Sequence, residues 1–291
     1  MEDKSSPRNK TKSDVQLYLP KRSTVLVFCF VLTVLLSSQY HLLDGTMEAV
    51  LRDEVTGEFL KTDQFMLELS IHLGYLITAP LTGIFVVKTA QPKKTIVFGF
   101  IISCLATFYT PIAAKDLFPM MWARAMTGAG LGMVIVSLYQ FIVIWIPKQE
   151  YTRAITFIGS GYYGGMMFSD LWGSVLTKIY GWHATFYWFA VVPLLFLALW
   201  SYVVYKSPSA HPKITNNELT YLKSNAQPAE GQALMLGHLC KSQIVWILFL
   251  CNILFQFAHT GIFSVIPYFI VDVLWIDFTF GVLTAVILWF N

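Results

Sequence analysis

The stretch RAMTGAGLGMVIVSLYQFIVIW, residues 124–145, decides the fold class. A bilayer core about 30 Å thick needs about 20 predominantly apolar residues in a helix, and after its first turn this stretch is almost wholly apolar. Its opening is less ordinary for a spanning helix, with Arg124 followed by Gly128, Gly130 and Gly132. Gly128 and Gly132 stand one turn apart, the spacing that lets a second helix approach closely inside a membrane. An ionised arginine costs about 2.5–3.5 kcal/mol at the centre of a span, so it normally faces a partner or a water-filled cavity.

Runs of the same kind recur on both sides. Seven complete spans are expected at 23–43, 65–87, 96–114, 119–146, 154–177, 184–205 and 243–270, and an eighth begins near Phe278 and is cut at Asn291. Composition agrees: 56% of the 291 residues are apolar, 13% are charged and the mean hydropathy is +0.59, values foreign to a soluble domain. The expected fold class is an all-α polytopic membrane protein. Because a spanning helix satisfies its backbone internally, a chain that stops within a span reads as a fragment, a truncated gene model or a short isoform.

The placement of charge orients the spans. Fifteen of the twenty Lys and Arg residues fall before the first span or in alternate loops on the same side, among them Lys21, Arg22, Lys88, Lys93, Lys94, Lys148, Arg153, Lys206 and Lys213. Short basic loops stay in the cytoplasm, so the amino terminus is expected there. That orientation, and the lack of an extracellular cysteine pair, disfavour a heptahelical receptor. The first run is too long for a secretory signal and no small-residue cleavage site follows it. The expected organisation is a basic tail at 1–22, six spans over 23–205, a polar cytoplasmic linker over 206–242, and span 7 with part of span 8 over 243–291. In the linker, Thr215 and Glu218 have the spacing of a capping box, so a short helix is expected beside the membrane.

Cys29, Cys104 and Cys251 lie within spans and Cys240 in the linker, so neither a disulfide framework nor a metal-ligand spacing appears. The sequon at Asn9 falls on the expected cytoplasmic side and should be unused. No nucleophile and base pair, phosphate loop or nucleic-acid motif stands out, and neither an enzyme nor a cofactor is expected.

The loop signatures carry a resemblance. They are Gly74-Tyr75; Arg124, Gly128 and Gly132; Trp145, Pro147, Glu150 and Arg153; GWHATFY at 181–187; SPSAHPKITNNELTYL at 207–222; and IPYFIVDVLWID at 266–277. Spread along nearly the whole chain, they resemble the anion:cation symporters of the major facilitator superfamily, a group that includes sialin, the vesicular glutamate transporters and the sodium-phosphate cotransporters. The resemblance implies a major facilitator fold, here the amino-terminal six-helix half plus span 7 and the start of span 8. It further implies alternating-access transport of a small organic anion or inorganic phosphate, coupled to a proton or sodium, in the plasma membrane or a lysosomal or vesicular membrane. The alternative is a transport-incompetent truncated, sensor or partner protein on the same scaffold.

Candidate site residues follow from charge within spans. Arg124 offers a guanidinium fork suited to a carboxylate or phosphate, and the resemblance implies that the matching arginine takes part in substrate recognition. Snorkelling to the interface, or a salt bridge with Asp170 of span 5, are the competing readings. Glu68 and His72, four residues apart on one face of span 2, suit either proton transfer or a structural hydrogen bond. Asp170 is a third coupling candidate. His41 and Asp44 flank the end of span 1. In span 7, Asn252, Gln256, His259 and Thr260 form a polar stripe expected to face the cavity. Glu150 and Arg153 are expected to pair with each other or with a neighbouring loop and, with Lys88, to act in conformational switching.

The resemblance also has gaps. Leu43 stands where the family has arginine, Leu131 where it has glutamate, and Thr260 where it has tyrosine. GIFVVKTAQPKK at 83–94 follows the G-x-x-x-D/E-R-x-G loop pattern with Val87 in place of the acid and Ala90 in place of the second glycine.

Overall fold

The computed structural model describes residues 20–51, 56–225 and 241–268, without the side chains of residues 45, 47–48, 51, 56–64 and 256–268. All regular elements among the described residues are helical. Six long helices come first: α1 (Lys21–Leu51), α2 (Thr56–Thr89), α3 (Pro92–Ala113), α4 (Leu117–Trp145), α5 (Tyr151–Tyr180) and α6 (Trp182–Val203). A 3-10 turn (Pro208–Ala210), the short α7 (Asn216–Ser224) and α8 (Gln243–Tyr268) follow. The expected eighth span, Asn9 and Cys240 lie outside the described residues.

Among the described residues, five helices are long and apolar enough to cross a membrane: α1 over Lys21–Asp44, α2 over Phe65–Thr89, and all of α3, α4 and α6. The span expected at 154–177 coincides with α5, which is 30 residues long but does not reach that hydropathy. Its GSGYYGG run at 159–165 and Asp170 make it amphipathic rather than uniformly apolar. Span 7 coincides with α8, whose described apolar part ends at Phe255. Breaks fall where the backbone requires them. Pro92 occupies the first turn of α3, where its missing N–H costs nothing. Gly181 joins α5 to α6 at φ 84, a left-handed conformation that glycine adopts without penalty.

The six long helices form two triplets. In one, α4 lies between α2 and α3; in the other, α1 lies between α5 and α6. Contacts of α3 with α6, and of α1 with α4, join them, while α2 and α5 share no substantial contact. The glycines of the opening stretch explain the first triplet. A Cβ on Gly128 would strike the Ile71 carbonyl of α2, and one on Gly74 of α2 would strike the Ala125 carbonyl of α4. Gly132 also faces α2, at Thr78, but Gly130 faces α3, at the Gly99 carbonyl and Ser103. In the second triplet Gly161 and Gly165 press on the Phe30 and Val34 carbonyls of α1. Gly128 and Gly132, read from their spacing as packing residues, thus serve close helix approach, and Gly161 and Gly165 do the same in the second triplet.

A buried polar network ties α1 to α3 and α6. Gln39, fully buried, donates from Nε2 to the Phe189 carbonyl at 2.9 Å and accepts at Oε1 from Ser103 Oγ at 2.7 Å. At the end of the bundle where α1 begins, Trp145 Nε1 donates to the Tyr205 carbonyl at 3.1 Å, and the His211 ring packs edge-on against both Trp145 and Tyr205.

The linker helix docks at this same end, differently from expectation. Thr215 occupies the N-cap position of α7 without a side-chain cap hydrogen bond, so the hydroxyl half of the capping box is not formed. Glu218 reaches α1 instead, accepting from the Lys21 and Arg22 backbone N–H groups at 3.2 and 3.1 Å. A carboxylate there satisfies otherwise orphaned donors and complements the helix dipole.

Candidate functional site

Arg124 lies in the second turn of α4 and is only 3% exposed. Its Nη2 donates to the Tyr40 backbone carbonyl of α1 at 2.9 Å, whereas its Nε is buried without a hydrogen-bond partner. Asp44, Tyr40 and Glu68 are its electrostatic neighbours, Asp44 the strongest of the charged ones. The salt bridge with Asp170 is not formed, and neither is the snorkelled arrangement, because the guanidinium turns inward to α1. A buried guanidinium with an unused donor is expensive unless something else supplies an acceptor.

Around it, α1, α2 and α5 contribute a polar and aromatic cluster. His41 Nδ1 donates to Asp44 Oδ2 at 3.2 Å, and His41 Nε2 lies 3.0 Å from Tyr162 Oη of α5. The Tyr40 ring meets the His41 and His72 rings edge-on, with centroids 5.0 and 5.7 Å apart. Ser37 Oγ donates to the Tyr162 carbonyl at 2.6 Å, tying α1 to α5 once more.

The other expected residues divide between this cluster and elsewhere. Glu68 and His72 belong to it, although the His72 ring donates to the Glu68 backbone carbonyl at 2.6 Å, a local helical bond. Asp170, half-buried on α5, is within electrostatic reach of Asp44, a like charge. Asn252 is exposed on α8, all of whose described side chains are exposed, and it does not join the cluster; Gln256, His259 and Thr260 lie outside the described side chains. At the other end of the bundle, Glu150 pairs with Arg22 of α1 at 3.2 Å and accepts from Tyr221 Oη of α7 at 3.3 Å. Its partner is thus a neighbouring element, while Arg153 is exposed. Lys88 is exposed in the last turn of α2. Leu43 and Leu131 are buried in apolar clusters, at 0% and 4% exposure.

Residues 63–291 match the family profile of the Major Facilitator Superfamily. The chain belongs to that superfamily. Among its curated relatives within the superfamily are "Probable anion transporter 4, chloroplastic" of Oryza sativa subsp. japonica, 26% identical over 86% of this chain; "Sodium-dependent phosphate transport protein 1, chloroplastic" of Arabidopsis thaliana, 29% identical over 64%; and sialin of Homo sapiens, 23% identical over 70%. The chain spans less than half of their lengths, at 45%, 37% and 42% respectively. These relatives agree with the anion:cation symporter resemblance carried by the loop motifs.

With the superfamily in place, Arg124, Gly128 and Gly132 of the R-x-x-x-G-x-x-x-G motif divide into one residue turned to α1 and two pressed on α2. Sequence reasoning missed Tyr40 and Tyr162, which organise the cluster. The available signal was a hydroxyl-bearing aromatic beside each ionisable or glycine element: Tyr40 precedes His41, and Tyr162 follows Gly161. Gln39 was missed as well, although an uncharged amide inside an apolar run is itself a sign of a buried hydrogen-bond partner.

Proposed function

We propose that this chain is the anion-recognising part of a secondary transporter that moves a small organic anion or inorganic phosphate by alternating access, with a proton or sodium as the coupling ion. The observation that carries the reading is the buried Arg124 guanidinium, held by one backbone carbonyl and left with an unused Nε donor. An anionic oxygen is the acceptor best matched to it. The relatives, named for anion and phosphate transport, support the same substrate class.

In this reading Arg124 holds substrate, and Asn252, His259 and Thr260 of α8 contact it only in a conformation in which α8 closes on the Arg124 cluster. Glu68, His72 and Asp170 respond to the coupling ion, and Lys88, Glu150 and Arg153 act in the conformational change. The amino terminus is cytoplasmic, the six-helix part covers 23–205, and the 206–242 linker leads to the remaining spans.

Uptake of labelled sialic acid, glutamate, urate and phosphate into proteoliposomes, across imposed proton and sodium gradients, tests the proposal. One of the four should accumulate, and Arg124→Gln should lower its uptake at least about tenfold, the factor that loss of a hydrogen bond to a charged group predicts. Accumulation that Arg124→Gln leaves unchanged would overturn the assignment.

One observation favours a second reading, a transport-incompetent sensor or partner. Leu43 and Leu131, where the resembling family carries ionisable groups, are core residues here. Binding of one of the four anions with no accumulation under any gradient would select it.

A further inference from the structure

His41 stands on α1 two residues beyond Gln39, about 200° further round the helix. Gln39 grips α3 and α6, so His41 points to the opposite side, toward Tyr162 of α5. Its side chain is 16% exposed, against 53% for Asp44. Edge-on packing against Tyr40 and Tyr162 holds the ring plane, with centroids 5.0 and 5.5 Å apart.

The two ring nitrogens have unequal partners. An ionised carboxylate only accepts, so the nitrogen facing Asp44, Nδ1, must carry the hydrogen. A neutral imidazole has only one N–H, which leaves Nε2 as the acceptor of the Tyr162 hydroxyl, 3.0 Å away. Asp44 therefore selects the tautomer of His41, and Tyr162 marks the one lone pair that remains basic.

We infer that His41 is a proton-binding site whose occupancy is communicated to both α5 and Arg124. A hydronium ion gives a proton to the Nε2 lone pair: one O–H bond breaks, one N–H bond forms and a water molecule leaves. Tyr162 turns its own hydrogen to another acceptor and receives Nε2–H instead, so the α1–α5 hydrogen bond reverses direction. The imidazolium stands beside Asp44, the strongest charged neighbour of Arg124, and competes for that carboxylate. Arg124 is then freer to attract an anion, and its one bonded carbonyl belongs to the Tyr40–His41 peptide itself. Proton and anion thereby favour each other's binding, the thermodynamic requirement of co-transport.

The groups facing His41 can be named element by element. From α1 they are Asp44 and Tyr40. Tyr162 comes from α5, with Asp170 acting through Asp44 and Tyr163 beside Tyr162. His72 on α2 lies across the Tyr40 ring, with Glu68 one turn away, and α4 supplies Arg124. None of the hydrogen bonds of His41 comes from α3 or α6.

The inference rests on the transport reading for its purpose but not for its chemistry, and its test needs no transport. The full chain, labelled with 15N-histidine and placed in lipid nanodiscs, is observed by NMR, with His41→Gln identifying the His41 signals. Near neutral pH, His41 should show a protonated Nδ1 and an unprotonated Nε2. Asp44→Asn should exchange that pattern for the commoner Nε2–H form, and Asp44→Glu should restore it. Acidification should protonate Nε2 reversibly, with a simultaneous change in the Tyr162 ring signals that Tyr162→Phe abolishes. An Nε2–H form in the wild-type chain, or a tautomer indifferent to Asp44→Asn, would overturn the inference. Failure of uptake in the liposome assay would defeat the transport reading and leave these signals unaltered.

Discussion

At Ala90 the backbone turns left-handed, with φ 52, to end α2, and its N–H donates to the Val86 carbonyl at 2.9 Å. A side chain costs about 1–2 kcal/mol in that conformation, which glycine escapes. The loop pattern of the resembling family has glycine there, so the departure visible in the sequence has a physical cost. Ala90→Gly should stabilise the chain by about 1 kcal/mol, read as a raised unfolding temperature in detergent. Arg124 makes the opposite case. Its buried Nε lacks a partner, so Arg124→Met should leave the unfolding temperature unchanged or higher while abolishing anion binding. A marked fall in stability would show that the arginine is a structural tie instead. That Arg124 faces something polar was legible from its place in a span. That the something is the Tyr40 carbonyl was not, because a backbone acceptor 84 residues away leaves no trace in side-chain spacing.

Among elements, α4 shows how far spacing can be read. Glycines one turn apart announce a close helix approach, and Gly128 and Gly132 do face α2. Gly130 lies between them on the other side and admits α3, so the three glycines serve two neighbours. Gly128→Val should cost about 3 kcal/mol or more, since the clash is with the Ile71 carbonyl and backbone does not yield as a side chain does. Gly159→Ala, where an added Cβ meets nothing within 4 Å, should instead stabilise α5 by about 0.5–1 kcal/mol. A thermal-shift comparison of the two variants separates packing glycines from incidental ones. The connection to α7 was only half legible. A helix was expected there, but not that Glu218 would accept from the first N–H groups of α1; of the two kinds of partner expected for Glu150, it bonds the one outside its own loop, Arg22.

That docked end carries its own pH dependence. Burial against the bundle, reinforced by Lys21, holds the His211 imidazole below its ordinary value of 6.5. A histidine whose folded value is depressed binds fewer protons than in the unfolded chain, so its stabilising contribution is present above about 6.5 and lost as pH falls. Amide exchange across 206–224 should therefore quicken between neutral and mildly acidic pH, and His211→Phe should flatten that response. Exchange rates in the wild-type chain that, after correction for intrinsic chemistry, do not vary with pH would contradict the assignment.

For the molecule as a whole, hydropathy made the helical bundle legible because lipid demands length and apolarity from each span separately. α5 was less legible by that measure, being polar on one face. The site was legible only as a set of charges near one end of the spans, since Tyr40 and Tyr162 acquire their roles from residues distant in sequence, Arg124 lying 84 residues from Tyr40 and His41 lying 121 from Tyr162. The basic loops make a separate claim about orientation. A fusion tag at residue 1 and one inserted after Lys206 should both be protected in sealed cells and become reachable when the membrane is permeabilised, whereas a tag after Asp116 should be reachable at once. The reverse pattern would invert the bundle.

The cap that Glu218 places on α1 has a consequence in time. The carboxylate that closes the first turn of α1 is encoded 196 residues after the Arg22 N–H that it receives. At a synthesis rate of about 5–20 residues per second, roughly 10–40 s separate the two on the ribosome. During that interval the start of the first helix waits with its donors open to water, and it is closed only when six helices already stand behind it. The first residues of the bundle to be made are thus among the last to be finished.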